Sequence, residues 1–201
     1  VHASTGVIGW RLDVEKITAA LPGLCGALGK KGGQDAARAI MTTDSKPKSG
    51  CIQVGDGARA YRISAMVKGA GMIHPNMATM LAFAFPDADI SAAGLKAVSR
   101  RVMGRTFNRI SIDNDMSPND TFTVMANGLS GVKVGGGGSP LKEFEAGLEY
   151  LCGELAREMV FTGEGVTRLV QIDVEGAKSE EDADAMARGI ADSQLVKTAV
   201  F

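Results

Sequence analysis

Apolar residues recur with the period of an α-helix in the second half of the chain. Large apolar side chains fall at steps of three and four residues between positions 141 and 159, which predicts an amphipathic helix. A second helix is predicted after Ser91, a suitable N-cap, because the apolar side chains at 95, 98 and 102 share one face. A third is predicted to open at Ser179, which forms a capping box with Asp182.

Shorter apolar patterns predict two helices in the first half. One covers residues 14–20 and is expected to end at Pro22 and Gly23, since proline interrupts the helical hydrogen bonds. The other covers residues 34–41 and is rich in alanine, which is typical of a buried helix.

Alternation between apolar and polar residues predicts strands. Residues 59–67 alternate with a period of two, so we expect a half-buried strand, preceded by a hairpin turn at 55–57. The run 79–85 is almost wholly apolar and stops at Pro86, as expected for a strand covered on both faces. Further strands are predicted at 109–112, 121–126, 166–174 and from 195 to the end.

Together these elements predict a mixed α/β protein built from layered helices and mixed β-sheets. The glycine-rich stretch 135–139 lies between a predicted strand and a predicted helix, with no change of composition on either side. We therefore interpret it as a surface loop within a single domain covering 1–201.

Charge and composition exclude several classes of protein. Twenty-two basic and 23 acidic residues leave a net charge of -1, which argues against a nucleic-acid partner. No apolar run is long enough to span a bilayer and no leader opens the chain, so a cytoplasmic protein without a membrane partner is expected. Cys25, Cys51 and Cys152 match no metal or disulfide spacing and are expected to act as small apolar side chains.

Two familiar site motifs fail on inspection. The acidic stretch 113–120 begins like a calcium loop but has Pro118 where the loop needs glycine. With only His2 and His74 available, a catalytic triad based on histidine has no support in the sequence.

One segment is far more specific. Residues 68–81 read Lys-Gly-Ala-Gly-Met-Ile-His-Pro-Asn-Met-Ala-Thr-Met-Leu and closely resemble the self-cleavage segment of the ornithine acetyltransferase family, also called glutamate N-acetyltransferase or bifunctional arginine biosynthesis protein. Other stretches resemble the family in the same order: 4–9, 39–44, 107–121, 163–165 and 193–198. The resemblance covers essentially the whole chain and implies the self-cleaving, DmpA-like N-terminal-nucleophile fold.

The resemblance implies cleavage between Ala78 and Thr79. Residues 1–78 would then end an alpha chain, and residues 79–201 would begin a beta chain. The freed α-amino group, with a pKa of about 8, can serve as the base that a threonine hydroxyl needs. Thr79 would attack the acetyl group of N-acetylornithine and pass it to glutamate, a ping-pong reaction through an acetyl-threonine.

Other residues acquire roles by the same resemblance. Thr5 and Gly6 match positions that supply the oxyanion hole, through a hydroxyl and a main-chain N–H. Thr42, Lys68 and Glu164 match substrate-binding positions, with Thr43 as a register alternative to Thr42.

The resemblance also sets expectations about ligands, assembly and completeness. No cofactor or metal is expected, although acetyl-CoA as an acetyl donor is left open. Two alpha and two beta chains would form a heterotetramer, in the cytoplasm or in an organelle matrix if the source is eukaryotic. The family has segments before Val1 and after Phe201, so the chain is expected to be truncated at both ends. The substrate pocket would then lack the residues that the missing segments contribute. Pro118 stands where a hydroxyl residue is common in the family.

Two alternatives remain at this stage. A self-cleaved amidase or aminopeptidase would use the same threonine but pass the acyl group to water. A catalytically silent fragment would serve only in folding or assembly.

Overall fold

A single mixed sheet forms the centre of the molecule. In a computed structural model, which describes residues 3–74, 80–136 and 138–200, its strands are β1 (Lys48–Val54), β2 (Tyr61–Lys68), β3 (Leu81–Pro86) and β4 (Thr121–Val124). They lie side by side in that order, with β1–β2 and β2–β3 antiparallel and β3–β4 parallel. The predicted mixed α/β architecture is confirmed.

Among the described residues, two α-helices precede the sheet along the chain, one lies between β3 and β4, and three follow β4. Their bounds are α1 (Val14–Gly26), α2 (Gly33–Ala39), α3 (Ala92–Arg105), α4 (Ser139–Phe161), α5 (Glu180–Ala191) and α6 (Gln194–Val200). Short 3-10 turns occur at Gly57–Arg59 and Phe107–Arg109.

The core lies between the sheet and α4. The apolar face predicted from the helical spacing is buried, including Phe144, Leu148, Leu155 and Met159. This face packs against β1 and β2, whose inward residues Ile63 and Val67 are also buried. The hydrophobic pattern therefore predicted this layer correctly.

Helix α3 packs beside α4 and is held by caps and ion pairs. The Ser91 hydroxyl accepts a hydrogen bond from the Gly94 N–H, as predicted for an N-cap. Arg101 donates two hydrogen bonds to the Glu145 carboxylate, at 2.8 and 2.6 Å. Arg101 thus bridges α3 and α4.

Several predicted elements are wrong. Residue 109 ends a 3-10 turn and residues 110–112 are irregular. Residues 166–174 are also irregular, and the terminal run forms α6 instead of a strand. Alternation alone cannot make a strand, because a strand also needs a neighbour to hydrogen-bond with. In α6 the Ser193 hydroxyl accepts from the Val196 N–H, a local cap that favours the helix.

The early helices also differ from expectation. Helix α1 continues through Pro22, and all its side chains remain accessible enough for solvent to satisfy the carbonyl that proline leaves unbonded. Helix α2 is short and buries only Ala37, so the prediction of a buried helix there is wrong. Cys25 and Cys51 are exposed, and only Cys152 is buried, which raises the pKa of its thiol to about 12.

The strand predicted for 79–85 begins, in the described residues, at Leu81. Ala82, Ala84 and Pro86 are buried, whereas Phe85 on the other face is 37% exposed. One face of this strand is therefore covered, and the second is only partly covered.

Candidate active site

The site lies at one edge of the sheet, where three strand ends meet. Lys68 ends β2 and pairs with Leu81 at the start of β3, which in turn pairs with Thr121 at the start of β4. The predicted cleavage site, Ala78 and Thr79, lies within 75–79, outside the described residues. Met80, the first described residue after that segment, enters the sheet at this edge.

Met80 is held by both main-chain and side-chain contacts from the start of β4. Its N–H donates to Asp120 Oδ1 at 3.0 Å, and its carbonyl accepts from the Thr121 N–H at 3.0 Å. Burial raises the pKa of Asp120 to about 6, although the Met80 N–H and nearby Lys68 act in the opposite direction. The backbone adjoining position 79 is therefore anchored to a carboxylate.

Asp44 forms the buried centre of the neighbouring charges. Its Oδ1 accepts from Lys48 Nζ and from the Gly69 N–H, each at 2.7 Å, and its Oδ2 accepts from the Thr42 N–H at 3.2 Å. Burial alone would raise the pKa of Asp44, but these hydrogen bonds outweigh it and the pKa is lowered. Asp44 therefore ties the loop before β1 to the end of β2.

Lys68 is a buried cation surrounded mainly by carboxylates. Its side chain is 3% exposed, and its Nζ lies 4.0 Å from Asp44 Oδ2. Burial lowers the pKa of Lys68 and the positive charge of Lys48 adds to this effect, while Asp44, Asp120 and Glu164 oppose it. Such an amine can donate hydrogen bonds to a carboxylate or carbonyl of a small ligand.

Glu164 reaches the same edge from the loop after α4. Its N–H donates to the Ala70 carbonyl at 2.7 Å, and a Cβ at Gly71 would lie 3.0 Å from its carboxylate carbon. Glycine at 71 therefore lets this exposed carboxylate approach the main chain closely.

The remaining candidate residues lie around the buried charges at this edge of the sheet. The Ser4 carbonyl accepts from Asn119 Nδ2 at 2.8 Å, which places the irregular segment containing Thr5 and Gly6 beside the loop that ends at Asp120. Thr5 is half-buried and Gly6 is exposed. Thr42 and Thr43 are both exposed, and Thr42 is tied to the site through its N–H to Asp44.

The sequence reasoning missed Asp44, Lys48 and Asp120 as members of this site. Asp44 and Lys48 are four residues apart, but only their complete burial shows that they form an ion pair. Asp120 belongs to the acidic stretch 113–120, and its contact with Met80 spans 40 positions, which no local pattern can reveal.

A cavity of about 330 Å³ adjoins this edge. It is lined by Asp113, Glu164 and Lys197 together with apolar residues of the loop after α4 and of α6, such as Val166 and Val200. A shallower hollow of about 410 Å³ lies between β1 and α4 and is lined by none of the candidate site residues.

In the described ranges 3–74, 80–136 and 138–200, no three His, Cys, Asp or Glu side chains lie close enough together to hold a metal ion. Across the same ranges, none of the helices combines the length and apolar character that crossing a bilayer requires. The expected absence of a cofactor stays a prediction.

The chain is similar to known proteins along its whole length. The ArgJ family matches residues 1–201. Its relatives include the arginine biosynthesis bifunctional protein ArgJ of Symbiobacterium thermophilum, 44% identical over 200 residues, and the glutamate N-acetyltransferase of Methanocaldococcus jannaschii, 45% identical over 203 residues. Each alignment covers 99% of this chain and 50% of the relative, so the chain spans about half the length of those proteins.

A solved structure supports the same conclusion about the fold. The crystal structure of the arginine biosynthesis bifunctional protein ArgJ from Bacillus halodurans is 35% identical, with a TM-score of 0.56. The match covers 59% of this chain and 56% of that one. The fold expected from the resemblance is thereby confirmed, and the chain belongs to the ArgJ family.

Proposed function

We propose that this chain carries the nucleophile and part of the substrate pocket of a glutamate N-acetyltransferase that moves an acetyl group from N-acetylornithine to glutamate. Family membership supports this proposal. The observation that carries it is the anchoring of Met80, the residue after Thr79, to Asp120 beside the buried cation Lys68.

The nucleophile would form by self-cleavage. Thr79 Oγ attacks the Ala78 carbonyl carbon, the C–N bond breaks, and the hydroxyl proton passes to the departing Thr79 nitrogen. Water then hydrolyses the resulting ester, which leaves a carboxylate on Ala78 and a free hydroxyl and α-amino group on Thr79. Residues 1–78 and 79–201 become parts of an alpha and a beta chain.

The first half-reaction transfers the acetyl group to the enzyme. Thr79 Oγ bonds to the acetyl carbon of N-acetylornithine while its proton passes to the α-amino group of Thr79. The tetrahedral oxyanion is stabilised by the Thr5 hydroxyl and the Gly6 N–H, each such donor contributing about 3 kcal/mol in other enzymes. The C–N bond then breaks, and ornithine leaves with the proton that the α-amino group held.

The second half-reaction restores the threonine. The amine of glutamate attacks the acetyl ester, the bond to Oγ breaks, and a proton returns to Oγ through the α-amino group. Products are N-acetylglutamate and free enzyme, so the cycle consumes no cofactor, and acetyl-CoA as a donor is left open.

Charge complementarity supports the proposed substrate pocket. Both substrates are amino acids that carry a carboxylate, and each also carries an amine, on the side chain of N-acetylornithine and on the α-carbon of glutamate. Lys68 supplies a cation and Glu164 a carboxylate on the same edge of the sheet, with Thr42 at its rim. The two alpha and two beta chains of the expected heterotetramer are proposed as the assembled form.

Mass spectrometry and an acetyl-transfer assay on the full-length protein test this function. We expect two polypeptides that meet at Ala78 and Thr79, and N-acetylglutamate formed from N-acetylornithine and glutamate. Thr79→Ala should give one intact chain and reduce transfer by roughly a thousandfold or more. Thr79→Ser keeps a hydroxyl and should retain measurable cleavage.

Thr18→Ala is the matched control, because within the described residues the Thr18 hydroxyl bonds only to the Val14 carbonyl of its own exposed helix. It should cleave and transfer like the wild type. Hydrolysis of N-acetylornithine without N-acetylglutamate would identify the enzyme as an amidase or aminopeptidase instead. Unchanged properties in Thr79→Ala would leave only a structural module.

A further inference from the structure

One loop contacts the main chain on both sides of the proposed cleavage site. It runs from residue 110 to residue 121, between the 3-10 turn at Phe107–Arg109 and the start of β4. The contacts fall on residues 72–73 before the segment 75–79 and on Met80 after it. We call residues 110–121 the clamp loop.

The upstream contacts centre on Asp113. Its carboxylate accepts from the Met72 N–H at 2.5 Å and from the Ile73 N–H at 3.0 Å, while the Ile112 N–H donates to the Ile73 carbonyl at 2.8 Å. Met72 has a φ of 55°, a left-handed conformation that residues other than glycine adopt at a cost. The paired hydrogen bonds to Asp113 compensate for that cost, so the upstream backbone is held in an otherwise unfavourable conformation.

The downstream contacts centre on Asp120. Its Oδ1 accepts from the Met80 N–H, which belongs to the peptide bond directly after residue 79. The Thr121 N–H donates to the carbonyl of the same residue, Met80. Met80 itself is 3% exposed, so these hydrogen bonds are shielded from water. The two carboxylates thus hold main chain at opposite ends of the segment.

We infer that the clamp loop positions the Ala78–Thr79 bond for self-cleavage, with Asp113 and Asp120 as positioning residues on its two sides. This inference rests on the proposed function. An intramolecular attack is fast only when the reacting atoms are already held about 3 to 3.5 Å apart, and flexible ends lose that advantage.

The two carboxylates should matter differently after cleavage. Once the bond is cut, Asp113 holds main chain at residues 72 and 73, several residues before the new chain end. Asp120 holds the second residue of the chain that begins with the nucleophile. Asp113 should therefore affect cleavage more than turnover. Asp120 should affect both, because Thr79 then has Met80 as its sole covalent neighbour.

Cleavage and turnover can be measured separately in the full-length protein. Asp113→Ala and Asp120→Ala should each slow cleavage about tenfold or more, as judged by the fraction of intact chain over time. Turnover per cleaved molecule should fall about tenfold in Asp120→Ala and clearly less in Asp113→Ala. Asp120→Asn keeps an acceptor oxygen for the Met80 N–H and should restore much of the cleavage rate, a rescue that general destabilisation would not produce.

Asp115→Ala is the matched control on the same loop, since its exposed side chain accepts no hydrogen bond from the described part of the chain. It should cleave at the wild-type rate. Wild-type cleavage rates in both Asp113→Ala and Asp120→Ala would overturn the inference, as would an equal loss in Asp115→Ala. If the wild type itself does not cleave, the proposed function fails instead, so the two failures are distinguishable.

Discussion

At the scale of single residues, the end of β2 is defined by charges that are buried together. Lys48 and Asp44 have fully buried side chains joined by a 2.7 Å contact, and Lys68 lies beside them. Burying one charge alone costs several kcal/mol, whereas a hydrogen-bonded pair offsets most of that cost. The arrangement is therefore sensitive to the loss of any one member.

Asp44→Ala should destabilise the protein by about 3–5 kcal/mol, because it leaves the buried Lys48 ammonium without its partner. The pKa of Asp44 is lowered from its ordinary value of 3.8 in the folded state. Its stabilising contribution is therefore present above pH 3.8 and is lost as the pH falls through the folded-state pKa. Chemical denaturation at several pH values should show the gap between variant and wild type narrowing in acid.

Asp56→Ala serves as the comparison, since the Asp56 side chain is 94% exposed and lies 4.0 Å from Arg59. It should change the free energy of unfolding by less than about 0.5 kcal/mol. A loss as small in Asp44→Ala would contradict the role assigned to the buried pair.

At the scale of elements, the contact between α4 and the sheet is close enough to require glycine at one point. A Cβ at Gly147 would lie 2.6 Å from Val54 Cγ2 and 3.4 Å from Ile52 Cδ1. A Cβ at Gly153, in the same helix, would meet only Thr106 Cγ2 at 3.9 Å, an ordinary contact. Helix α4 can therefore approach β1 this closely because Gly147 has no side chain.

These two glycines predict opposite effects of the same substitution. Gly153→Ala should stabilise the protein by about 0.5–1 kcal/mol, because alanine favours helix more than glycine does. Gly147→Ala gains the same preference but must displace the stiff side chain of Val54, so it should be destabilising by about 1–2 kcal/mol. Thermal unfolding of the two variants side by side provides the measurement, and equal melting temperatures would contradict the close approach.

At the scale of the whole molecule, the proposed cleavage site falls inside one folded unit. Strand β2 lies upstream of the site, whereas two of the elements that it packs against, β3 and α4, lie downstream. Pairing between Ile63–Lys68 and Leu81–Pro86, together with the buried face of α4, joins the two sides of the site. A cut at 78–79 would leave every one of these contacts in place.

We therefore expect the two cleaved polypeptides to remain associated. Native size-exclusion chromatography of the cleaved full-length protein should show a single species containing both. The same sample should give two bands in denaturing gel electrophoresis, because the denaturant unfolds the shared sheet and core and so separates the two polypeptides. Dissociation under native conditions would contradict the shared sheet.

Local rules account for much of the architecture. Periodicity and caps predicted α3 and α4, the first turn of α5 and the faces of β2, because these features depend on residues near one another in the chain. The same rules failed for residues 166–174 and for α6, where the outcome depends on whether a neighbouring strand is present. The predicted helix end at Pro22 was wrong for a similar reason, since water can replace the lost hydrogen bond in an exposed helix.

The candidate site divides in the same way. A specific stretch of sequence around Lys68 indicated the family, which the match over residues 1–201 confirms. The sequence by itself thus determined the fold class, the main helices and the family. Only the tertiary structure decided that Asp44, Asp113 and Asp120 accept hydrogen bonds from the main chain between residues 69 and 80. These contacts span 25 to 41 positions, so they depend on chain topology and leave no local pattern.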